Sequence, residues 1–417
     1  MKKSVLNKRV VAWALYDWAN SAFTLVVITG FFPIFFRQYW ATGESSSSIT
    51  FYLGLANAAA SLVIALLAPF LGTVADQGNL KKRFLGLFVF LGVLMTLSLF
   101  WVASGQWQLA LMLYLFGTFG FMGANVFYDA MLVDVSDRKH LDQVSAWGYA
   151  LGYIGSALLF SLCVWMTLSP DTFGLKSSTE AVRYSFILVA AWWSIFSLPL
   201  FFFVKEAGGV VEKSGLINKS WRQLTGTLKH VRQHKPVVIF LLAYWLYIDG
   251  VDSIVRMAVD YGQSLGFEVN SLIKALLLTQ FVAFPAAVMF GYLGTALGTR
   301  KALLLGISVY MLVTVWAATI SQTWEFYILA IVIGLVQGGV QALSRSLYAQ
   351  LIPKQQAAEF FGFYNMLGKS AAVVGPLMIG SVTVITGSHR IAMLTLLILF
   401  IGGAILLIKV PLEKSKS

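Results

Sequence analysis

Long apolar stretches alternate with short polar connections along the whole chain. A stretch of about 20 or more mainly apolar residues is long enough to cross the hydrocarbon core of a bilayer as a helix. The apolar pattern predicts twelve such spans, numbered in chain order. They cover residues 10–36, 49–73, 84–103, 108–133, 145–168, 183–204, 236–258, 268–293, 302–320, 325–349, 360–386 and 390–410. The sequence therefore predicts an all-α membrane protein with twelve transmembrane helices.

One longer polar connection divides the spans into six and six. The predicted domains are an N-terminal six-helix bundle over 1–204, a cytoplasmic linker over 205–235 and a C-terminal six-helix bundle over 236–417. Within the linker, four apolar residues recur at helical spacing: Trp221, Leu224, Leu228 and Val231. This spacing favours an amphipathic helix lying on the inner leaflet. A solvated basic linker is the alternative.

Composition and charge support the membrane assignment. The chain is 58% hydrophobic and 12% charged, whereas soluble domains carry about 25% charged residues. Its net charge is +12, but the basic residues lie in connections between spans and do not form the single stripe typical of nucleic-acid binding. Most of the 30 Lys and Arg residues fall on one side of the predicted membrane. The positive-inside rule therefore places both termini in the cytoplasm, and no nucleic-acid partner is expected.

A polar motif occurs once in span 1 and once in span 7 at the same spacing. The two copies are Trp13, Asp17, Asn20, Ser21 and Trp245, Asp249, Asp252, Ser253. A carboxylate inside a span costs roughly 2.5–3.5 kcal/mol on insertion scales. Buried carboxylates at matching positions of a repeat indicate two related halves that face one polar cavity.

Span 4 and span 10 share a second repeated motif. Gly123, Asn125 and Asp129 are matched at identical offsets by Gly339, Gln341 and Arg345. Residues four apart share a helix face. One hypothesis is that Asp129 and Arg345 pair across the bundle interface when the inner side is shut. In the alternative, each residue binds partners in its own bundle.

Two basic, glycine-bearing loops complete the duplication. The loop after span 2 contains Gly72, Asp76, Gly78, Lys81, Lys82 and Arg83, and the loop after span 8 contains Gly291, Thr295, Gly298, Arg300 and Lys301. Repeats offset by six spans keep the same orientation. The two halves should therefore be related by an axis along the membrane normal.

These residues carry a family resemblance. Both loops resemble the glycine–aspartate–basic signature of the major facilitator superfamily. The stretches ALYDWANSAF from Ala14 and QALSRSLYAQLIP from Gln341, with AEFFGFYN from Ala358, resemble the bacterial branch of the autophagy-related vacuolar effluxer family. The resemblance implies two pseudo-symmetric six-helix bundles that work by alternating access in a bacterial inner membrane. For fungal members it implies export of amino acids from the vacuole.

Charged side chains inside the spans are the first candidates for function. They are Asp17, Asp129, Asp249, Asp252, Arg256, Lys274, Arg345 and Lys369. The two signs balance, which favours mutual pairing around an interior cavity. Burial also favours the proton-bound form of a carboxylate, and a proton carrier needs a group that binds and releases protons.

The sequence predicts two sets of functional residues. The candidates for binding solute or protons are Tyr16, Asp17, Asn20, Asn125, Asp249, Asp252, Lys274, Gln337, Gln341 and Lys369. The candidates for gating are Asp76, Asp129, Arg256 and Arg345. Asp249 is favoured over Asp252 because Arg256 can reach Asp252 along the helix. The alternatives are structural polar contacts for the carboxylates and snorkelling to the interface for the lysines.

Motifs of other function classes are not found. The chain has no GxxxxGK[ST] loop, no GxSxG elbow and no cluster of metal-ligand residues, so an enzyme, a cofactor or a metal site is not expected. The predicted function is secondary active transport of a small polar or zwitterionic solute, amino acid or peptide-like, outward and coupled to protons. The expected partners are that solute, protons and the bilayer, and the protein is expected to be a monomer. The alternatives are a multidrug or siderophore-like exporter and a non-transporting sensor with the same fold.

Overall fold

The computed structural model describes residues 5–206, 215–229, 234–371 and 374–411. Within these ranges, eleven helices are long and apolar enough to cross a membrane. A twelfth predicted span, residues 360–386, is described as two helices, Ala357–Ala371 and Val374–Thr386, on either side of residues 372–373, which lie outside these ranges. The all-α, twelve-helix prediction is confirmed.

The first half of the chain forms six membrane-spanning helices. They are α1 (Lys8–Ala22), α2 (Ser46–Gly78), α3 (Lys81–Ser98), α4 (Trp107–Ala130), α5 (Leu141–Leu168) and α6 (Ser178–Phe203). Helix α1 starts where the side chain of Asn7 accepts hydrogen bonds from the next turn, as N-capping residues do. The same span continues through Phe23–Phe31, Phe32–Phe35 and Phe36–Trp40, of which the first and last are π-helical.

The second half repeats this arrangement after a linker helix. The helices are α7 (Leu216–Lys229), α8 (Lys235–Ser264), α9 (Val269–Leu297), α10 (Thr299–Ala317), α11 (Thr323–Leu351), α12 (Ala357–Ala371), α13 (Val374–Thr386), α14 (His389–Leu394) and α15 (Leu396–Ile408). Helices α12 and α13 divide span 11, and α14 with α15 forms span 12. The domain limits 1–204 and 236–417 stay a prediction.

Both ends of the described chain lie on one side of the molecule, called the termini side below. Lys8 at the start of α1 lies 3.8 Å from the ring centroid of Phe203 at the end of α6. In the second half, an Arg300 guanidinium nitrogen at the start of α10 donates to the Val410 carbonyl oxygen at 3.0 Å. In each half, the end of the last helix therefore lies beside the start of an earlier one. An even number of spans likewise requires both termini to lie on one side.

The start of α3 is fixed on the termini side by a carboxylate from the end of the first bundle. Glu206 accepts hydrogen bonds from the backbone N–H groups of Lys81 and Lys82 at 3.0 and 2.9 Å. Burial raises the pKa of Glu206, although the two N–H groups oppose that shift. The side chain of Lys81 is itself buried and lies 3.5 Å from Asp76 and 3.2 Å from Asp134. Part of the basic loop therefore has a structural role besides its effect on topology.

The two bundles approach each other closely through glycines. A Cβ on Gly72 in α2 would overlap the carbonyl oxygen of Ala358 in α12, and a Cβ on Gly291 in α9 would lie 3.2 Å from the carbonyl oxygen of Asp142 in α5. Small residues allow helix backbones to pack this closely inside a membrane. The repeated loop glycines therefore occupy equivalent contacts between the bundles.

The outer surface of the helices is apolar. Large side chains that are exposed there include Leu66, Phe90, Trp165, Phe202, Leu312, Val384 and Ile385. A soluble protein rarely presents so much contiguous apolar surface to water. Lipid is the solvent that fits this surface.

Candidate functional site

The buried guanidinium of Arg345 joins the two bundles on the termini side. Arg345 lies in α11, and 1% of its surface is exposed. Its Nη1 is 3.0 Å from Oδ1 of Asp129 in α4 and 3.4 Å from Oδ2 of Asp17 in α1. These three residues are called the central ion cluster below. One cation of the second half thus lies between two carboxylates of the first.

The remaining faces of the Arg345 guanidinium are also occupied. Its Nε and Nη2 donate to the hydroxyl and the carbonyl oxygen of Ser145 in α5, both at 3.0 Å. The Tyr149 and Trp13 rings lie 4.3 and 4.8 Å from its central carbon. Aromatic faces attract cations at this range, so the guanidinium is enclosed by hydrogen-bond acceptors and rings of the opposite bundle.

The two carboxylates have further partners. The Tyr128 hydroxyl donates to Asp17 at 2.9 Å, and the side-chain amide of Asn365 donates to Asp129 at 3.0 Å. Asn365 belongs to α12, so a second polar contact crosses between the bundles at the same place. The exposed fractions of Asp17 and Asp129 are 8% and 7%. The cluster therefore contains two nearly dry carboxylates and one guanidinium.

A glycine makes room for this cluster. A Cβ on Gly148 in α5 would lie 2.8 Å from Nη2 of Arg345 and 2.9 Å from both Oδ2 of Asp17 and a ring carbon of Trp13. A side chain at this position would separate the charges. Gly148 belongs to the cluster although it contributes no polar group.

Two other carboxylates join the bundles nearer the ends of the helices. Asp142 at the start of α5 accepts from the Thr299 hydroxyl at 2.8 Å, from the Gln350 side-chain amide at 3.2 Å and from the Ser346 hydroxyl. All three donors belong to the second bundle. Asp142 therefore holds the starts of α5 and α10 together.

Asp76 makes the equivalent contact on the other side of the interface. Its carboxylate accepts from the backbone N–H groups of Ala358 and Glu359 at 3.1 and 2.9 Å. These are orphan donors at the start of α12, which carry partial positive charge. The gating candidate Asp76 thus caps a helix of the opposite bundle.

Two side-chain hydrogen bonds join polar residues deeper in the bundles. The Asn20 side-chain amide donates to the Asn125 side-chain oxygen at 2.6 Å, and the Tyr153 hydroxyl donates to the Gln341 side-chain oxygen at 2.6 Å. The second pair joins α5 to α11 and so crosses between the bundles. Five of the ten binding candidates lie on or beside this path from the central ion cluster: Tyr16, Asp17, Asn20, Asn125 and Gln341.

Asp249 makes structural contacts of the kind that the sequence left open as the alternative to a binding role. Its exposed fraction is 1%, and its carboxylate accepts from the N–H groups of Val374 and Gly375 at 3.1 and 3.0 Å and from the Ser253 hydroxyl at 3.3 Å. It therefore caps the start of α13 inside the predicted membrane span. Its role in binding solute or protons stays a prediction, and the observed geometry gives it a structural one.

The other charged candidates are less buried than the residues of the central ion cluster. Asp252 is half-buried, and Arg256 and Lys274 are exposed. Gln337 is buried, and its side-chain oxygen has no hydrogen-bond partner among the described residues. The side chain of Lys369 lies outside the described part of the structure. In the described part of the structure, the gating candidate Arg256 is not among the hydrogen-bond or ion-pair partners of Asp76 and Asp129.

Sequence reasoning missed several residues of the site. Tyr128, Ser145, Tyr149, Asp142 and Gly148 were not among the candidates. Asp142 looks like an ordinary loop charge, because it precedes the predicted start of span 5. The nearest signal for Gly148 was its i, i+4 spacing with Gly152, which indicates close packing without showing what is packed.

The chain matches a known protein family over most of its length. The pattern of the family described as "Vacuole effluxer Atg22 like" matches residues 43–417. The chain belongs to this family. Its resemblance to the major facilitator superfamily is also confirmed by a relative from Bacillus subtilis (strain 168), the uncharacterized MFS-type transporter YxiO. The two are 42% identical over 411 residues, which cover 98% of this chain and 96% of that protein.

Fungal relatives are more distant. Autophagy-related protein 22 of Eremothecium gossypii is 24% identical over 91% of this chain and 86% of its own length. Autophagy-related protein 22-1 of Penicillium rubens is 27% identical over 66% of this chain, and the match covers half of the fungal protein. These relatives support membership of an effluxer family.

Solved structures confirm the fold. The proton:xylose symporter XylE has a TM-score of 0.75 at 14% identity, covering 97% of this chain and 95% of XylE. The transporter FucP in its outward conformation has a TM-score of 0.71 at 13% identity, covering 99% and 100%. At these identities the likeness shows the fold alone. Together with the family, it makes the chain a multi-pass transporter of the major facilitator type and not an enzyme.

Proposed function

We propose that this transporter exports amino acids or peptide-like solutes in exchange for protons by alternating access, and that the central ion cluster is its inner gate. The termini side would then face the cytoplasm of a bacterial inner membrane, and the protein would act as a monomer. The observation that carries the proposal is the charge of the cluster. Two dry carboxylates, Asp17 and Asp129, share one guanidinium, Arg345.

This charge excess favours proton coupling. An uncompensated carboxylate in a low-dielectric interior is costly, and binding a proton or a second cation removes the cost. Among the described side chains of the cluster, one guanidinium faces two carboxylates. A proton, or the ammonium group of an amino acid, can neutralise the second carboxylate.

The same charges support a gate. Separating the bundles on the termini side moves Arg345 away from Asp129 and Asp17. Breaking a buried ion pair by removing one partner costs roughly 3–5 kcal/mol. A proton taken up by a released carboxylate lowers that cost, so proton binding can shift the balance between the sealed and the open state.

The neighbouring polar groups support a small polar solute. Asn20, Asn125, Gln341 and Tyr153 offer amide and hydroxyl groups that donate to a carboxylate and accept from an ammonium group. They lie next to the cluster on both bundles. An amphipathic drug would require a mainly apolar path instead.

Transport into proteoliposomes tests the proposal. The purified full chain is reconstituted, labelled amino acids and dipeptides are supplied on one side, and a pH gradient is imposed. The proposal predicts accumulation against the solute gradient that collapses with a protonophore. Two results would contradict the proposal. In one, the protonophore has no effect on the transport of any tested amino acid or dipeptide. In the other, only amphipathic cations accumulate.

A variant of the cluster separates proton coupling from solute movement. Asp129→Asn removes the excess charge and keeps a side-chain oxygen that can face Arg345. We expect gradient-driven accumulation to fall by about tenfold or more, which corresponds to ~1.4 kcal/mol, while exchange of labelled for unlabelled solute at equal pH continues. Equal loss of both activities would show that Asp129 does not couple protons to transport.

A further inference from the structure

The linker helix α7 connects the two bundles directly on the termini side. The side-chain amide of Gln223 donates to the carboxylate of Glu359 at the start of α12, and its oxygen accepts from the side-chain amide of Gln77 at the end of α2. Glu359 is fully buried. One residue of the linker therefore bridges a helix end of each bundle where Asp76 caps α12.

One face of α7 is packed against the first bundle. Ser220 and Leu224, four residues apart, are buried, and a Cβ on Gly78 would lie 3.3 Å from Leu216. The Trp221 ring meets Phe70 of α2 edge-on, with centroids 5.9 Å apart. These contacts hold the helix beside the end of α2.

The rest of the α7 surface, called its outer face below, begins next to the packed face and carries exposed apolar and basic side chains. Ile217 and Trp221 are 68% and 58% exposed and lie one turn apart on the same face. Lys219 and Arg222 are also exposed, on sides of the helix other than that of Ile217 and Trp221. Exposed Leu66 in α2 is one turn from Phe70 on the lipid-facing surface, so the outer face of α7 continues that surface at its edge.

This combination fits an anionic lipid surface. Apolar side chains between basic ones are typical of helices that lie in the headgroup region, where aromatic residues insert and Lys and Arg contact anionic headgroups. A soluble anion would satisfy the basic side chains but would leave Ile217 and Trp221 in water. The continuity with the lipid-facing surface of α2 therefore favours the membrane.

We propose that α7 is a lipid-dependent latch. Its outer face binds the anionic leaflet on the termini side, and this binding stabilises the arrangement in which Gln223 joins the two bundles. Anionic lipid then favours the sealed state. The idea does not depend on which solute is transported or on proton coupling.

Distance measurements in nanodiscs test the latch without a solute. Spin labels are placed at Arg83→Cys and Lys301→Cys, exposed positions at the starts of α3 and α10, in a Cys163→Ser background. Distances are compared in discs of neutral phosphatidylcholine and in discs with added phosphatidylglycerol. The short distance belongs to the sealed state and the long distance to the open state. We expect phosphatidylglycerol to raise the ratio of the sealed population to the open population by about fivefold for each contributing basic residue. An unchanged ratio would overturn the proposal.

Two variants locate the effect. Lys219→Gln with Arg222→Gln should remove most of the lipid response, whereas Lys139→Gln with Lys354→Gln, which neutralises two exposed residues of the same side outside α7, should keep it. Gln223→Leu should weaken the response because α7 then loses its hydrogen bonds to both bundles, so lipid binding no longer stabilises the contact between them. Equal responses in the two double variants, or a full response in Gln223→Leu, would contradict the latch.

Two controls distinguish lipid binding from the binding of a soluble anion and from loss of folding. Inorganic phosphate added to neutral discs should not reproduce the effect of phosphatidylglycerol, and a full effect of phosphate would overturn the membrane assignment. Thermal unfolding of each variant reports folding. Thr225→Ala, whose hydroxyl donates to the carbonyl oxygens of Trp221 and Arg222 within α7, should behave like the unsubstituted protein and gives a second check on α7 itself.

Discussion

At the scale of single residues, Arg345 has the most consequential environment. Asp129 and Asp17 share its charge, Ser145 binds two of its nitrogens, and the Tyr149 ring covers one face. A cation so enclosed is stable only while the opposite bundle stays in place, because its partners all belong to that bundle. The geometry therefore links one residue to the state of the whole transporter.

Gly148 gives the first prediction at this scale. Gly148→Ala should destabilise the sealed state by about 1–3 kcal/mol, as overpacking does, because the added Cβ would lie between Arg345 and Asp17. Thermal unfolding in detergent measures the loss. The matched control is Gly54→Ala in α2, which has open space around its Cβ position and should be neutral or slightly stabilising. Equal melting temperatures for the two variants would contradict the packing argument.

The sequence predicted part of this site. The repeat of span 4 in span 10 led to the hypothesis that Asp129 and Arg345 pair. Nη1 of Arg345 and Oδ1 of Asp129 lie 3.0 Å apart. The role of this pair as a gate stays a prediction. The approach of Asp17 to Arg345 depends on how α1 and α11 lie relative to each other. A sequence motif shows which residues share a face of one helix, but not the depth at which two helices of different bundles meet.

At the scale of helices, the hydrogen bonds at the start of α13 are the main feature that the apolar pattern did not predict. The continuous apolar run of residues 360–386 predicted one unbroken span. Residues 372–373 lie outside the described part of the structure, and the first described N–H groups of α13, those of Val374 and Gly375, donate to Asp249. Pro376 was the available signal, because proline fits the first turn of a helix and disrupts the middle of one. Which distant carboxylate caps that turn could not be read from the sequence.

Asp249 gives the prediction at this scale. Asp249→Ala leaves the N–H groups of Val374 and Gly375 without their acceptor, and each buried donor left unpaired costs about 1–3 kcal/mol. Asp249→Asn retains one acceptor oxygen, so it should lose less stability than Asp249→Ala. Melting temperatures of the purified variants measure the order. The reverse order would exclude the capping role.

Transport by the same variants tests the role that the sequence predicted for Asp249. If Asp249→Asn keeps proton-driven accumulation, Asp249 is removed from the proton-binding candidates and only the cap remains. If the variant is stable but accumulates no solute, the prediction of a proton site is supported. Ser253→Ala, which removes one of the three donors to Asp249, provides the matched stability control.

At the scale of the whole molecule, duplication explains what the sequence could predict. Repeated motifs in spans 1 and 7, 4 and 10, and the loops after spans 2 and 8 led to two pseudo-symmetric bundles, and solved transporters confirm that fold. The symmetry is incomplete where the charges lie. Asp76 caps α12 directly, whereas the equivalent Thr295 accepts a hydrogen bond from Gln143 at 3.4 Å, and Asp142 supplies the nearby carboxylate.

The central claim is that Arg345 and the opposing carboxylates form the inner gate by direct ion pairing. Transport by three variants tests it most directly: Asp129→Arg, Arg345→Asp, and the two changes together. Each single reversal leaves like charges in contact in a dry interface, so transport should be lost. The double variant restores one cation and two carboxylates, and we expect it to recover a measurable part of transport in proteoliposomes. A double variant no more active than either single one, at equal expression and thermal stability, would contradict the claim.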